Sequence, residues 1–371
     1  MTISGTIIGT KTKRDAGGGN GSLASAFRHA SWRFCTGRIW LGGLAALALC
    51  LPGCANKKAK PAPVNIVWPN PPEEPRIAYV ASVTQPSDLG LKRSGWNRVA
   101  NWLIGAQRGN EQFVKPFGLA VDEADNLCVT DTGAGAVCFF DLGQKRLHRW
   151  TGAGKIRFAT PVAVAKRGGT VFVADSARAS VIALSLKGAL LFELTNGVQR
   201  PVGLAASETN LYVVDSQLNR VAIYDFRGTL IRRFGKRGAG PGEFNFPTHV
   251  AVDRRGYLLV TDAMNGRVQV FDLEGNYQGR IGSPGDSSGH FGRPKGIAAD
   301  SFGRVYVMDG LFDNLQIFER DGRLLLSLGE TGGKAGEFWL PGGIAITQDN
   351  RIFIADSYNR RVQILKYIGA P

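Results

Sequence analysis

The chain is poor in the residues that build reactive sites. Its 371 residues include four histidines, three methionines and five cysteines. His148, His249 and His290 stand far apart, and none is paired at a metal-ligand spacing, so no zinc-type motif can be read. Glycine is abundant, yet clusters such as 238–242 precede no helical pattern, which leaves a phosphate-binding loop unsupported. The apolar run Ile39–Leu51 has thirteen residues. At about 1.5 Å per residue, a helix of that length falls short of a bilayer core of about 30 Å. Beyond residue 112 the helical period is missing throughout, which excludes an α-helical core.

What is present is repetition. From Phe113 onward, an aspartate closes a short apolar run at Asp131, Asp175, Asp215, Asp262, Asp309 and Asp356, with spacings of 44, 40, 47, 47 and 47 residues. A proline precedes each by fourteen or fifteen residues: Pro116, Pro161, Pro201, Pro247, Pro294 and Pro341. Three residues before the proline stands Phe113, Phe158, Phe244, Phe291 or Phe338, with Val198 in the remaining copy. Each copy holds short branched apolar runs split by turn residues, as in Val250–Val252, Leu258–Val260 and Val268–Phe271, followed by Tyr277–Ile281. A period of this length made of short strands predicts an all-β, six-bladed propeller of four-stranded antiparallel blades.

The sixth copy stops after its third strand, Val362–Tyr367, while residues 76–83 read as an outer strand with no blade of their own. These two facts predict that 76–83 completes the last blade, joining both ends of the array in one sheet and removing an edge. The domains follow: 1–53 a signal peptide with an over-long extension, 54–75 a Lys/Pro-rich tether, 76–112 the closing strand and a helix, 113–371 the propeller.

The phrases FPTHVAVD (246–253), VTDAMNGRVQVFD (260–272), IADSYNRRVQIL (354–365) and GAGPGEFNFP (238–247) resemble the NHL repeat. An arginine follows the aspartate by five residues at Arg220, Arg267 and Arg361, but Ala136, Ser180 and Asn314 take that place elsewhere. The expected role is local: Asp215 with Arg220, Asp262 with Arg267, and Asp356 with Arg361 would brace a loop, each exposed pair adding about 0–1 kcal/mol. Relatives of this propeller class include lyases and gluconolactonase-like enzymes that hold a divalent metal in the channel, and extracytoplasmic sensor modules of bacterial receptors. The resemblance therefore implies either a metal-dependent lyase or lactonase using the central channel, or a binding scaffold. His249 is the channel candidate, because it fills the slot held by Gly118, Ala163, Gly203, Gly296 and Gly343 in the other copies. A ligand at the channel mouth and a merely hydrogen-bonded imidazole both fit it.

Arg28, Arg33 and Arg38 precede the apolar run, and Leu51-Pro52-Gly53-Cys54 follows. That ending resembles a bacterial lipobox with Cys54 as the lipidated residue. An uncleaved anchor or an ordinary secretory signal are the alternatives. Residues 1–27 exceed what a signal needs, so the expected start lies downstream. Ala55 in place of aspartate implies outer-membrane sorting, facing the periplasm. Residues 91–106 carry an amphipathic helical pattern, with Trp96 and Leu103 on one face, Arg98 turned away, and Trp102 as a second tryptophan. It could lie on the membrane or pack against the ring, and two tryptophans favour packing.

The net charge is +15, and removal of residues 1–53, which carry +5, leaves +10. Outside the cytoplasm such a charge suits anionic lipid, polysaccharide or an acidic partner protein rather than nucleic acid, or serves solubility alone. Oligomeric state is not legible. Cys128 and Cys138 fall on neighbouring strands of the first copy, where a disulfide or two buried thiols are both open. No catalytic set, metal site or cofactor is read. The expectation is a lipid-anchored scaffold that binds a protein or envelope polysaccharide through one loop face.

Overall fold

The computed structural model describes residues 66–89 and 112–370. Cys54 and the segment with Trp96, Arg98, Trp102 and Leu103 lie outside the described residues. Among the described residues, no helix is long and apolar enough to cross a membrane.

Each repeat copy forms one antiparallel sheet. Blade 1 runs outward through Pro116–Val121, Leu127–Asp131, Ala136–Asp141 and Arg146–Trp150. Blades 2 to 5 repeat this order, with inner strands starting at Pro161, Pro201, Pro247 and Pro294. The inner strands touch in a circuit that runs from blade 1 through blade 6 and back to blade 1, so the ring is closed.

Blade 6 contributes Ile344–Ile346, Arg351–Asp356 and Arg361–Tyr367 from the C-terminal end. Its outer strand is Ile77–Val83, paired antiparallel with Arg361–Tyr367. The sequence contains one more strand than expected here. Val67–Trp68 pairs with Ile77 and Ala78 at the sheet's far edge, inside the stretch expected to be a tether. Trp68 packs on the cluster between blades 5 and 6, and a Cβ at Gly336 would lie 2.6 Å from its ring. Prolines prevent a longer strand, but these two apolar residues cap the edge that the clasp would otherwise expose. The folded unit therefore reaches back at least to residue 66.

The core lies between blades. Six apolar clusters are each built from two adjacent blades, and blades 6 and 1 share one through Phe353, Val362, Leu127 and Phe140. Because both faces of the middle strands are covered, those strands read as continuous apolar runs instead of alternating ones. The five marker phenylalanines are buried in these interblade layers, and Val198 is buried as well. The proline and aspartate markers are cross-strand partners: Pro116 faces Asp131, and Pro161, Pro201, Pro247 and Pro294 face their own aspartates. Proline has no N–H, so the ladder ends at that pair and the chain turns into the loops.

Candidate functional site: the loop face and the channel

In an up-and-down blade, the loop from the second to the third strand and the loop from the outer strand to the next blade emerge on the same side. The repeated aspartate joins the two. Asp131 accepts the N–H groups of Val114 (2.8 Å) and Lys115 (2.9 Å), and Asp309 those of Gly292 (2.7 Å) and Arg293 (3.1 Å). Asp175, Asp215, Asp262 and Asp356 likewise accept from Thr160, Arg200, Asn245 and Trp339. All six aspartates are buried. Asp131, Asp175, Asp215 and Asp309 are held by backbone donors, while Asp262 and Asp356 add Arg267 and Arg361 to one backbone donor each; both arrangements tie the loops together.

The arginine braces differ from the expectation in two ways. Asp262 with Arg267 (2.9 Å) and Asp356 with Arg361 (2.7 Å) do pair, but neither pair is exposed: both aspartates and Arg267 are buried and Arg361 is half-buried. Arg220 does not pair with Asp215. Its guanidinium donates to the Gly197 carbonyl at 2.8 Å, while Asp215 is occupied by the N–H groups of Gln199, Arg200, Gln217 and Leu218. Asp262 and Asp356 each accept one backbone N–H and leave room for the guanidinium, whereas four backbone N–H groups fill Asp215.

The channel is nearly shut. A Cβ added at Gly118 would lie 2.5 Å from the Val162 carbonyl, and one at Gly296 2.5 Å from the Gly342 carbonyl. Small residues in this slot let the inner strands close around the axis. A cavity of about 30 Å³ remains, lined by Gly118, Ala163, Gly203, His249 and Gly343 among others. That volume holds about one water. His249 does line it, with both ring nitrogens buried and without a hydrogen-bond partner. Burial, with Lys295 nearby, pulls its imidazole down to about 3, so the ring is neutral at ordinary pH.

Among the described residues, no group of three or more His, Cys, Asp or Glu side chains is arranged to hold a metal. His148 sits between Phe139 and Trp150, and His290 meets Ser287, both away from the channel.

The disulfide is not formed, and its premise is corrected by one register step. Cys128 faces Phe139 and Cys138 faces Val129, so the two sulfurs point to opposite sides of blade 1. Cys128 lies in the layer against blade 2 and Cys138 in the layer against blade 6. Burial pushes the Cys138 thiol up to about 12 and raises Cys128 further.

The signal that sequence reasoning missed is the composition of the loop face. Val114, Met264, Leu311, Trp339, Leu340 and Tyr358 are all exposed large apolar residues on it. Trp339 and Tyr358 stand 5.7 Å apart between ring centroids, and the Lys115 ammonium lies 5.0 Å from the Tyr358 ring. Lys295 reaches over Gly310, and burial followed by the Arg293 charge holds its ammonium below the usual lysine value. Among the described residues, Lys115, Arg200, Arg293 and Lys295 make no ion pair. On the opposite face the turns carry linked pairs such as Asp122 with Lys166 at 2.7 Å and Asp300 with Arg304 at 2.6 Å.

Comparison with known proteins agrees with this architecture. A family described as a 6-bladed beta-propeller matches residues 195–284, and the NHL repeat matches residues 338–365. The fold is similar to that of a streptogramin B lyase, at 14% identity and a TM-score of 0.52 over 69% of this chain and 94% of that one. It is similar to virginiamycin B lyase from Staphylococcus aureus, at 14% identity and 0.51 over 69% and 96%. An auxiliary nutrient binding protein from Bacteroides thetaiotaomicron aligns at 15% identity and 0.54 over 69% of each chain. At these identities the likeness is one of fold.

Proposed function

We propose that this propeller is a non-catalytic scaffold that binds a partner protein or envelope polysaccharide through its loop face. The observation that carries this reading is the group of exposed apolar side chains interleaved with unpaired basic ones on loops held rigid by the buried aspartates. Exposed aromatic and basic residues on a rigid mount are what recognition surfaces use. The likeness in fold to an auxiliary nutrient binding protein supports binding as the activity.

The same proposal places the protein in the cell envelope, anchored by a lipid on Cys54. The basic stretch before the apolar run and the cysteine after it support that placement. Cys54→Ser should move the protein from the membrane fraction to the soluble one, and unchanged attachment contradicts the anchor.

A photo-reactive residue at position 358 tests the binding reading in cells. Discrete adducts are expected from position 358, lost on Trp339→Glu, with none from position 277 on the outer rim. Equal labelling at both positions contradicts a loop-face interface.

The second reading is a metal-dependent lyase or lactonase in the channel. The unpartnered nitrogens of His249 favour it, together with the likeness in fold to lyases. The volume of about 30 Å³ weighs against it, since ligand sites usually have about 300–1,000 Å³. Stoichiometric divalent metal in the purified protein, lost on His249→Ala, would replace the scaffold reading with this one.

A further inference from the structure

The interval between blades 2 and 3 departs from its neighbours in three residues, and the departure opens a cleft. Between blades 3 and 4, Phe271 on the third strand is covered by Phe234 (4.9 Å between centroids) and Phe244 (5.7 Å). One repeat earlier, the residues in those places are Tyr224, Leu194 and Val198. Six residues connect Leu194 to Pro201, whereas twelve connect Phe234 to Pro247. Smaller side chains and a shorter connection leave a groove of about 310 Å³, lined by Leu194, Asn196, Tyr224, Leu230 and Arg233 among others. That volume falls at the lower end of the range for small-molecule sites, about 300–1,000 Å³.

Two polar side chains in this groove, Tyr224 and Arg233, lack partners among the described residues. Tyr224 is 3% exposed, and its hydroxyl is buried with no hydrogen bond. In the equivalent place blade 4 has phenylalanine, so the hydroxyl has no counterpart there. Arg233 lies against Gly197, and among the described residues its guanidinium forms no ion pair. Glu193, the acid of the lining, is engaged by Arg178 at 3.4 Å. The groove thus offers a cation and a buried hydroxyl beside the apolar wall of Leu194 and Leu230.

We propose that this groove binds a small organic acid with an apolar skeleton, its acid group received by Arg233 and the Tyr224 hydroxyl and its skeleton lying along Leu194 and Leu230. The site lies at the outer strands of blades 2 and 3 and uses none of the exposed apolar and basic side chains assigned to the partner, so its outcome is independent of the proposed function.

Octanoate and 3-phenylpropionate, with octylamine as control, test it by calorimetric titration of the purified chain. The acids should bind saturably at one site and the amine should not. Arg233→Gln should weaken octanoate about tenfold, as expected for loss of one charge-assisted hydrogen bond. Tyr224→Phe should weaken it without lowering thermal stability, because the lost hydroxyl has no partner. Leu194→Phe, which puts the counterpart residue of blade 3, Phe234, into the lining, should fill the groove and abolish binding. Failure of both acids to bind at up to about 10 mM, well above the millimolar range of weak sites, overturns the proposal. So does octanoate binding unchanged in Arg233→Gln and Leu194→Phe.

Discussion

Val83 and Val362 face each other across the pair of strands that closes blade 6, 279 residues apart in the chain and both almost wholly buried. Ile77, at the other end of the same strand, faces Tyr367 and is also buried. Burying Ile77 and Val83 is worth about 1.5–3 kcal/mol each. A chain beginning at residue 112 should therefore lose at least about 3 kcal/mol relative to one beginning at residue 61, and expose a sheet edge. Urea unfolding monitored by fluorescence checks this. Equal midpoints would mean that the clasp does not close the ring.

The two kinds of arginine brace should respond differently to truncation. Arg267→Ala leaves the Asp262 carboxylate buried without its cation and removes bonds to the Gly240 and Glu243 carbonyls, which should cost about 3–5 kcal/mol. Arg220→Ala removes one bond to a carbonyl and should cost about 0.5–1.5 kcal/mol. Unfolding free energies of the two variants decide it, and similar losses would contradict the geometry.

Acid should act through His249. Its imidazole titrates near 3 in the fold, against an ordinary value near 6.5, because burial disfavours the charged form. Between those values the unfolded chain binds a proton that the folded chain does not. The contribution is thus whole above pH 6.5 and shrinks as pH falls toward 3, at up to about 1.4 kcal/mol per pH unit. His249→Gly should flatten the dependence between pH 6.5 and 4. Asp122 acts at lower pH. Burial raises its carboxyl, but hydrogen bonds from Lys166 and Asn126 outweigh that and lower it, so its contribution persists above the usual aspartate range and is lost in stronger acid. The glycine variant keeps that second loss, and equal slopes in both proteins above pH 4 would contradict the role given to His249.

Neither thiol of blade 1 should react in the folded state. With Cys138 near 12 and Cys128 raised as well, almost no thiolate exists at pH 7. Ellman's reagent should find both Cys128 and Cys138 after denaturation without reductant. Release of these thiols only after reduction would restore the disulfide.

Much of this fold could be read from the chain, because its markers occupy fixed structural places. Pro116 and Asp131 recur at fourteen or fifteen residues because they are partners across a hairpin, and Phe244 recurs because it fills an interblade layer. The cysteines were misjudged because facing pairs in a hairpin have a constant sum of residue numbers. Asp131 faces Ala136, which sends Cys128 to Phe139, and a step of one residue turns a side chain to the other face. Val67–Trp68 escaped notice because a two-residue strand has no period to detect. The loop-face patch escaped because its members, such as Val114, Leu311 and Tyr358, come from three blades, and contacts such as Lys115 with Tyr358 form only once the ring is closed.

Hydrogen exchange with and without an envelope extract of the producing cells tests the central claim most directly. Binding through the loop face should protect the amides around Lys115, Arg293, Trp339 and Tyr358 and leave the turns at Asp122 and Asp300 unchanged. Protection confined to those turns, or to the strands lining the channel, would contradict it.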